Sequence, residues 1–153
     1  MSGVRVFASL ADFVGAKGEE LGRSDWHEVT QEQVSLFADA TGDHQWIHVD
    51  PERAAAGPFG TTIAHGFLTL ALLPVLTREI YRIDNLTMAV NYGLDRVRFP
   101  APVPVGARIR AMATLRDVKA TSLGQLTYSR VIVEVEGQSK AACIADTVTL
   151  LVG

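Results

Sequence analysis

GFLTLALLPVL, residues 66 to 76, is the longest apolar run in the chain. A membrane span needs about 20 such residues, so this run is roughly half a span. It reads instead as a buried helix beginning near Gly66 and continuing to about Tyr81. Pro74 lies inside that range. An interior proline removes a backbone donor and crowds the preceding turn, so a kink or a broken end is expected there.

Downstream the character changes. Leu86 to Phe99, Ala107 to Lys119, Leu123 to Glu136 and Lys140 to Val152 are rich in Val, Ile, Thr and Tyr. Turn signals divide them at Pro100 to Gly106, at Ser122 to Gly124 and at Glu136-Gly137. Long strands joined by short turns predict antiparallel neighbours. One long apolar helix followed by such strands predicts an α+β chain with one sheet curled around one buried helix.

Upstream the chain reads as helical and irregular. Phe7 to Val14 is a candidate short helix and Trp26 to Val29 a candidate short strand. Thr30, with Gln33 three residues on, has the pattern of a helix cap. Val34, Phe37, Ala38 and Thr41 then share one face, and Gly42 is a natural stop. Asp50-Pro51-Glu52 marks another helix start, cut short by Gly57-Pro58 and Gly60.

Composition bounds the function classes. The 153 residues suit one domain spanning 1–153, and no repeat or linker divides them. Hydrophobic residues are 48% and charged residues 20%, which predicts a packed core and not a disordered chain. A net charge of −3 argues against a general nucleic-acid partner. Cys143 has no second cysteine to pair with, which fits a reducing compartment, and within AACIADTV it reads as a small buried residue. The start, MSGVRVFASLADF, lacks an apolar core of signal-peptide length. A cytoplasmic protein with no membrane partner is the expectation.

Chemistry concentrates between the two apolar helices, in FADATGDHQWIHVDPERAAAGPFGTTIAHG, residues 37 to 66, which holds three of the four histidines. On a helix, Asp43 and His48 would point about 140° apart. Gly42 and Pro51 predict a loop instead, where both side chains can turn to one point. A carboxylate and an imidazole about a water molecule can activate it. On spacing alone, Asp43 capping a turn beside a satisfied loop histidine is the commoner meaning, since single acid–His pairs are common. A metal site built from His44, His48, His65 and Asp43 or Asp50 is a further reading, weakened by the absence of HExxH and of a second cysteine.

His65-Gly66 precedes the apolar helix. The first N–H groups of a helix have no internal partner and lie at its positive end. The Gly66 N–H is therefore a candidate donor to a carbonyl gaining charge, and the competing reading is a tight turn only. There is no GxSxG, GxGxxG or P-loop, so neither a serine nucleophile nor a nucleotide cofactor is predicted. Arg96 with Arg98, and Arg108 with Arg110, alternate on strand faces and could meet phosphates, although a solvated strand face is the commoner meaning.

The stretch Thr41-Gly42-Asp43-His44-Gln45-Trp46-Ile47-His48, followed by Val49-Asp50-Pro51 and by the downstream His65-Gly66, resembles the hydratase motif of the MaoC-like family. That motif runs small residue, Gly-Asp, variable residue, Asn-Pro, aliphatic residue, His. Gln-Trp in place of Asn-Pro looks like the NodN-like branch. The resemblance covers roughly residues 20 to 151. It implies the hot-dog fold, a curved antiparallel sheet wrapped around one helix, and a homodimer with an acyl tunnel near its seam.

The activity implied is that of an (R)-specific enoyl-CoA hydratase, acting on an acyl-CoA thioester with no metal and no cofactor. By resemblance, Asp43 takes a proton from water, His48 holds that water, and the Gly66 N–H polarises the thioester carbonyl. Gln45, Trp46 and His65 are the expected substrate-binding residues, with Trp46 filling part of the pocket. Two alternatives on the same fold are a non-catalytic acyl-CoA or acyl-carrier-binding protein and a thioesterase. The intact Asp43, His48 and Gly66 weigh against the first, and the hydratase spacing against the second.

Overall fold

The computed structural model describes residues 3–153. Met1 and Ser2, which open the amino-terminal stretch and the 1–153 domain read above, lie outside the described residues. In chain order the elements are β1 (Arg5–Phe7), α1 (Leu10–Val14), β2 (Glu20–Arg23), β3 (His27–Glu28), α2 (Gln31–Thr41), α3 (Trp46–Val49), α4 (Pro51–Ala55), α5 (Gly66–Ala71), α6 (Leu73–Thr77), β4 (Tyr81–Ile83), β5 (Met88–Arg98), β6 (Arg108–Ala120), β7 (Gln125–Val135) and β8 (Cys143–Val152).

Local chemistry sets the helix boundaries. The Thr30 hydroxyl accepts from the Gln33 N–H at 3.2 Å, and the Asp50 carboxylate accepts from the Arg53 N–H at 3.1 Å. Gly42 closes α2 at φ 81°, a left-handed conformation that costs glycine little.

The apolar helix differs from its sequence reading. It is two short segments parted at Leu72, with Pro74 in the first turn of α6, where a missing N–H is harmless. It also stops at Thr77, and Tyr81 begins β4 instead. At the amino terminus, Phe7 closes β1, and the helix begins only at Leu10 behind a Ser9 cap. The predicted loop after Gly42 contains one helical turn, α3, which carries His48.

The main sheet has strand order β2-β6-β7-β8-β5, antiparallel throughout, with β3 also on β6. On β6, Ile109, Ala111, Ala113 and Leu115 are buried with a period of two. They form one core with Leu68, Leu73 and Leu76 from the broken helix. Burying each large aliphatic side chain contributes roughly 1.5–3 kcal/mol. A small parallel pair, β1 with β4, brings Phe7 and Tyr81 against Phe13, whose ring centroid is 5.1 Å from Phe7 and 5.0 Å from Tyr81. The fold is the hot-dog arrangement, with the helices on one side of a long antiparallel sheet.

Two surfaces follow from this topology. β5 is a sheet edge, and Met88, Val90, Tyr92 and Leu94 on it are exposed. The arginine pair on β6 is matched by acids across the sheet. Arg108 Nε lies 3.2 Å from Glu136 Oε2, and Arg110 Nε lies 2.7 Å from Glu134 Oε2. Arg110 also stacks over Trp26 at 4.3 Å. That pair is a solvated strand face, not a phosphate clamp. Among the described residues no helix is long and apolar enough to cross a membrane.

Candidate active site

Gly42 turns the chain out of α2 and delivers Asp43 beside α3. Three ties then hold α3 in place. The Gln31 amide donates to the His48 carbonyl at 2.8 Å while its own oxygen accepts from the Thr62 hydroxyl at 2.6 Å. The Ile63 N–H donates to the Ile47 carbonyl at 3.0 Å. His48 Nδ1 lies 2.7 Å from the Ile63 carbonyl. The 62–65 segment is anchored in turn to the loop before β6, by Ala64 N–H to Val103 and Val105 N–H to Thr62. Gln31 and Ile63 carry no sequence signal for this role, because their partners are 15 to 31 residues away.

Asp43, His48 and His65 converge, with one ligating atom from each within 4.8 Å of the others. Asp43 is exposed, whereas His48 and His65 are 7% and 2% exposed. A carbonyl only accepts, so His48 Nδ1 carries the hydrogen and Nε2 keeps its lone pair. Burial pushes the His48 pKa below the ordinary value of 6.5. The nearby His65 adds to that, and the Ile63 carbonyl and Asp43 carboxylate oppose it without prevailing. The site therefore offers a carboxylate beside a neutral imidazole at neutral pH, the pair that can deprotonate and orient one water molecule.

The same atoms define the donor set for a metal: two imidazole nitrogens and a carboxylate, of the type zinc accepts. The larger set considered from sequence breaks up. His44 pairs instead with Asp39 at 2.9 Å, which raises its pKa, and Asp50 is occupied capping α4.

Gly66 is the first residue of α5, and its N–H has no hydrogen-bond partner among the described residues. A Cβ here would lie 3.0 Å from the Phe99 ring, so the room left by the glycine is taken up by Phe99. Phe99 and the 70%-exposed Phe67 meet edge to face at 6.2 Å. Of the residues expected to bind substrate, Gln45 is exposed. Trp46 is pinned under Arg53 at 4.4 Å and packs so closely on Gly57 that a Cβ there would lie 3.0 Å from it. His65 is turned into the protein.

A cleft of about 760 Å³ runs beside α5, α6 and β5, lined by Leu70, Leu73, Pro74, Leu86, Leu94 and Leu151 among others. Asp43, His48, His65 and Gly66 do not line this cleft, and Leu70, one helical turn beyond Gly66 on α5, is the lining residue nearest to them in sequence. Cys143 is sealed in the core, and burial pushes its thiol up to about 11, which leaves it no role as a nucleophile.

Residues 12–137 match the model of the MaoC like domain. The 3-hydroxyacyl-thioester dehydratase Z of Mycobacterium tuberculosis is 60% identical over 147 residues, covering 95% of this chain and 97% of that protein. Nodulation protein N of Rhizobium leguminosarum bv. viciae is 48% identical over 146 residues, covering 94% and 91%. Among solved structures, the unliganded R-hydratase PhaJ1 of Pseudomonas aeruginosa superposes with a TM-score of 0.72 at 19% identity, over 89% of this chain and 81% of that one, a likeness of fold.

Proposed function

The chain belongs to the MaoC-like dehydratase family, and from that premise we propose that it is an (R)-specific enoyl-CoA hydratase, adding water reversibly to a trans-2-enoyl-CoA to give an (R)-3-hydroxyacyl-CoA. The observation that carries this reading is the convergence of the Asp43 carboxylate with the neutral, lone-pair-bearing His48. Asp43 takes a proton from water while His48 Nε2 holds the other hydrogen. The water oxygen attacks C3, and the electrons move to the thioester oxygen, where the Gly66 N–H meets the developing charge. His48 delivers a proton at C2, the one removed from water having passed through the pair, so the enzyme is unchanged after each turnover. In this reading Gln45 and Trp46 meet the substrate outside the apolar cleft beside α5, and that cleft takes the acyl chain.

The direct test is hydration of crotonyl-CoA, with chiral analysis of the product. Formation of (R)-3-hydroxybutyryl-CoA is the expected result. Release of free thiol would reassign the chain as a thioesterase. Tight binding measured by calorimetry, without turnover, would make it an acyl-thioester-binding protein. The proposed reaction also needs no metal, because the thioester itself makes C3 electrophilic. Activity is expected to survive dialysis against EDTA unchanged, and loss restored by zinc would move Asp43, His48 and His65 into a metal centre.

The proposal includes a homodimer and a cytoplasmic location, the latter in keeping with one reduced, buried thiol. An unpaired edge carrying exposed apolar residues is a template for a second strand, and β5 is such an edge and borders the cleft. Tyr92→Asp on this edge is expected to convert a dimer to a monomer in sedimentation equilibrium and to lower the specific activity together with the dimer fraction. A wild-type chain that is monomeric and fully active would remove the dimer from the proposal.

A further inference from the structure

His65 is a buried imidazole that the hydration steps above do not use. Its Nε2 lies 2.9 Å from the Asp43 backbone carbonyl, so Nε2 carries the hydrogen and donates. Its ring stacks on His48 with centroids 3.8 Å apart at 22°, and Phe37 covers it at 4.9 Å. Its Nδ1 is buried with no hydrogen-bond partner among the described residues. The next residue is Gly66. One side chain thus holds the backbone of Asp43, lies against the face of His48 and precedes the Gly66 N–H.

Stability alone does not account for a histidine at this position. A buried unpaired nitrogen is a cost, and phenylalanine would stack between Phe37 and His48 without it. Phenylalanine would, however, leave the Asp43 carbonyl without its donor. Only a flat ring that also carries an N–H does both. Resting on the hydratase reading, we propose that His65 is a positioning residue which fixes Asp43 and His48 relative to one another, and that it makes no contact with substrate.

Two variants separate the two functions of the ring. His65→Phe keeps the stack and removes the donor, whereas His65→Gln keeps an N–H at similar reach and removes the stack. With crotonyl-CoA, His65→Phe is expected to lower kcat by about tenfold or more while KM stays within about threefold. His65→Gln is expected to recover part of that kcat. A purely structural role would lower the melting temperature in proportion to activity and would show no recovery by glutamine. An active wild type whose His65→Phe variant keeps kcat within twofold overturns the inference and leaves the hydratase reading intact. Long-range proton–nitrogen correlation on the wild type reads the His65 tautomer without any turnover. Hydrogen at Nε2 is the expected result, and hydrogen at Nδ1 overturns the inference even if neither variant folds. An inactive wild type removes the hydratase reading itself, and with it a role in positioning for that reaction.

Discussion

Asp43→Asn is expected to fold like the parent and to hydrate crotonyl-CoA at least about 100-fold more slowly. The fold should survive because the structural bonds of Asp43 do not need its charge. Its backbone carbonyl still accepts from His65, and its Oδ1 accepts only a long 3.4 Å bond from the Gln45 N–H, which an asparagine oxygen can also accept. The side chain is exposed and fills no core space. What is lost is the proton acceptor for water. A 100-fold loss corresponds to about 2.7 kcal/mol of transition-state stabilisation, within the range for one acid–base group. Because the loss falls on the chemical step, kcat should drop with KM little changed. Retention of activity within threefold would show that the carboxylate is not the base, and the convergence with His48 would then need another explanation.

The legible parts of this chain are those decided by neighbours in sequence. Thr30, Asp50 and Gly42 announce their helix ends because capping acts over three or four residues. The four long strands could be read because each carries its own β-branched content and ends in a turn signal. β2 could not be read so, since Glu20–Arg23 has one buried apolar side chain and owes its strand form to pairing with β6. The break at Leu72 is similar, because Pro74 signals an interruption without saying which side of it the helix yields. At the site, Asp43 and His48 stood out by type and spacing. The ties through Gln31, Ile63 and His65 did not, because each joins residues 15 to 31 positions apart and exists only once the chain is folded.

His48→Asn is expected to cost roughly 100- to 10,000-fold in kcat, and the pH dependence of the wild type should identify the reason. The asparagine amide can still donate to the Ile63 carbonyl, as Nδ1 does, but has nothing at the place of Nε2. A neutral Nε2 can accept a hydrogen from water and a protonated one cannot, so activity must fall as His48 gains its second proton. Burial, with His65 alongside, lowers that pKa from 6.5. The acidic limb of kcat/KM should therefore lie below 6.5. Stability follows with the same sign. Above 6.5 neither the folded nor the unfolded chain protonates this residue, and its contribution is complete. As pH falls through 6.5 the unfolded chain takes the proton first, and stability declines toward the lower folded-state value. His44 acts in the opposite sense, since Asp39 raises its pKa, and its contribution is present below 6.5 and is lost as pH rises through that raised value. The two are separated by comparing wild type with His48→Asn, because the His44 component is common to both and cancels, leaving the His48 component as the difference. An acidic limb at or above 6.5 that survives in the folded variant's residual activity would assign the limb to another group and remove His48 from the chemistry.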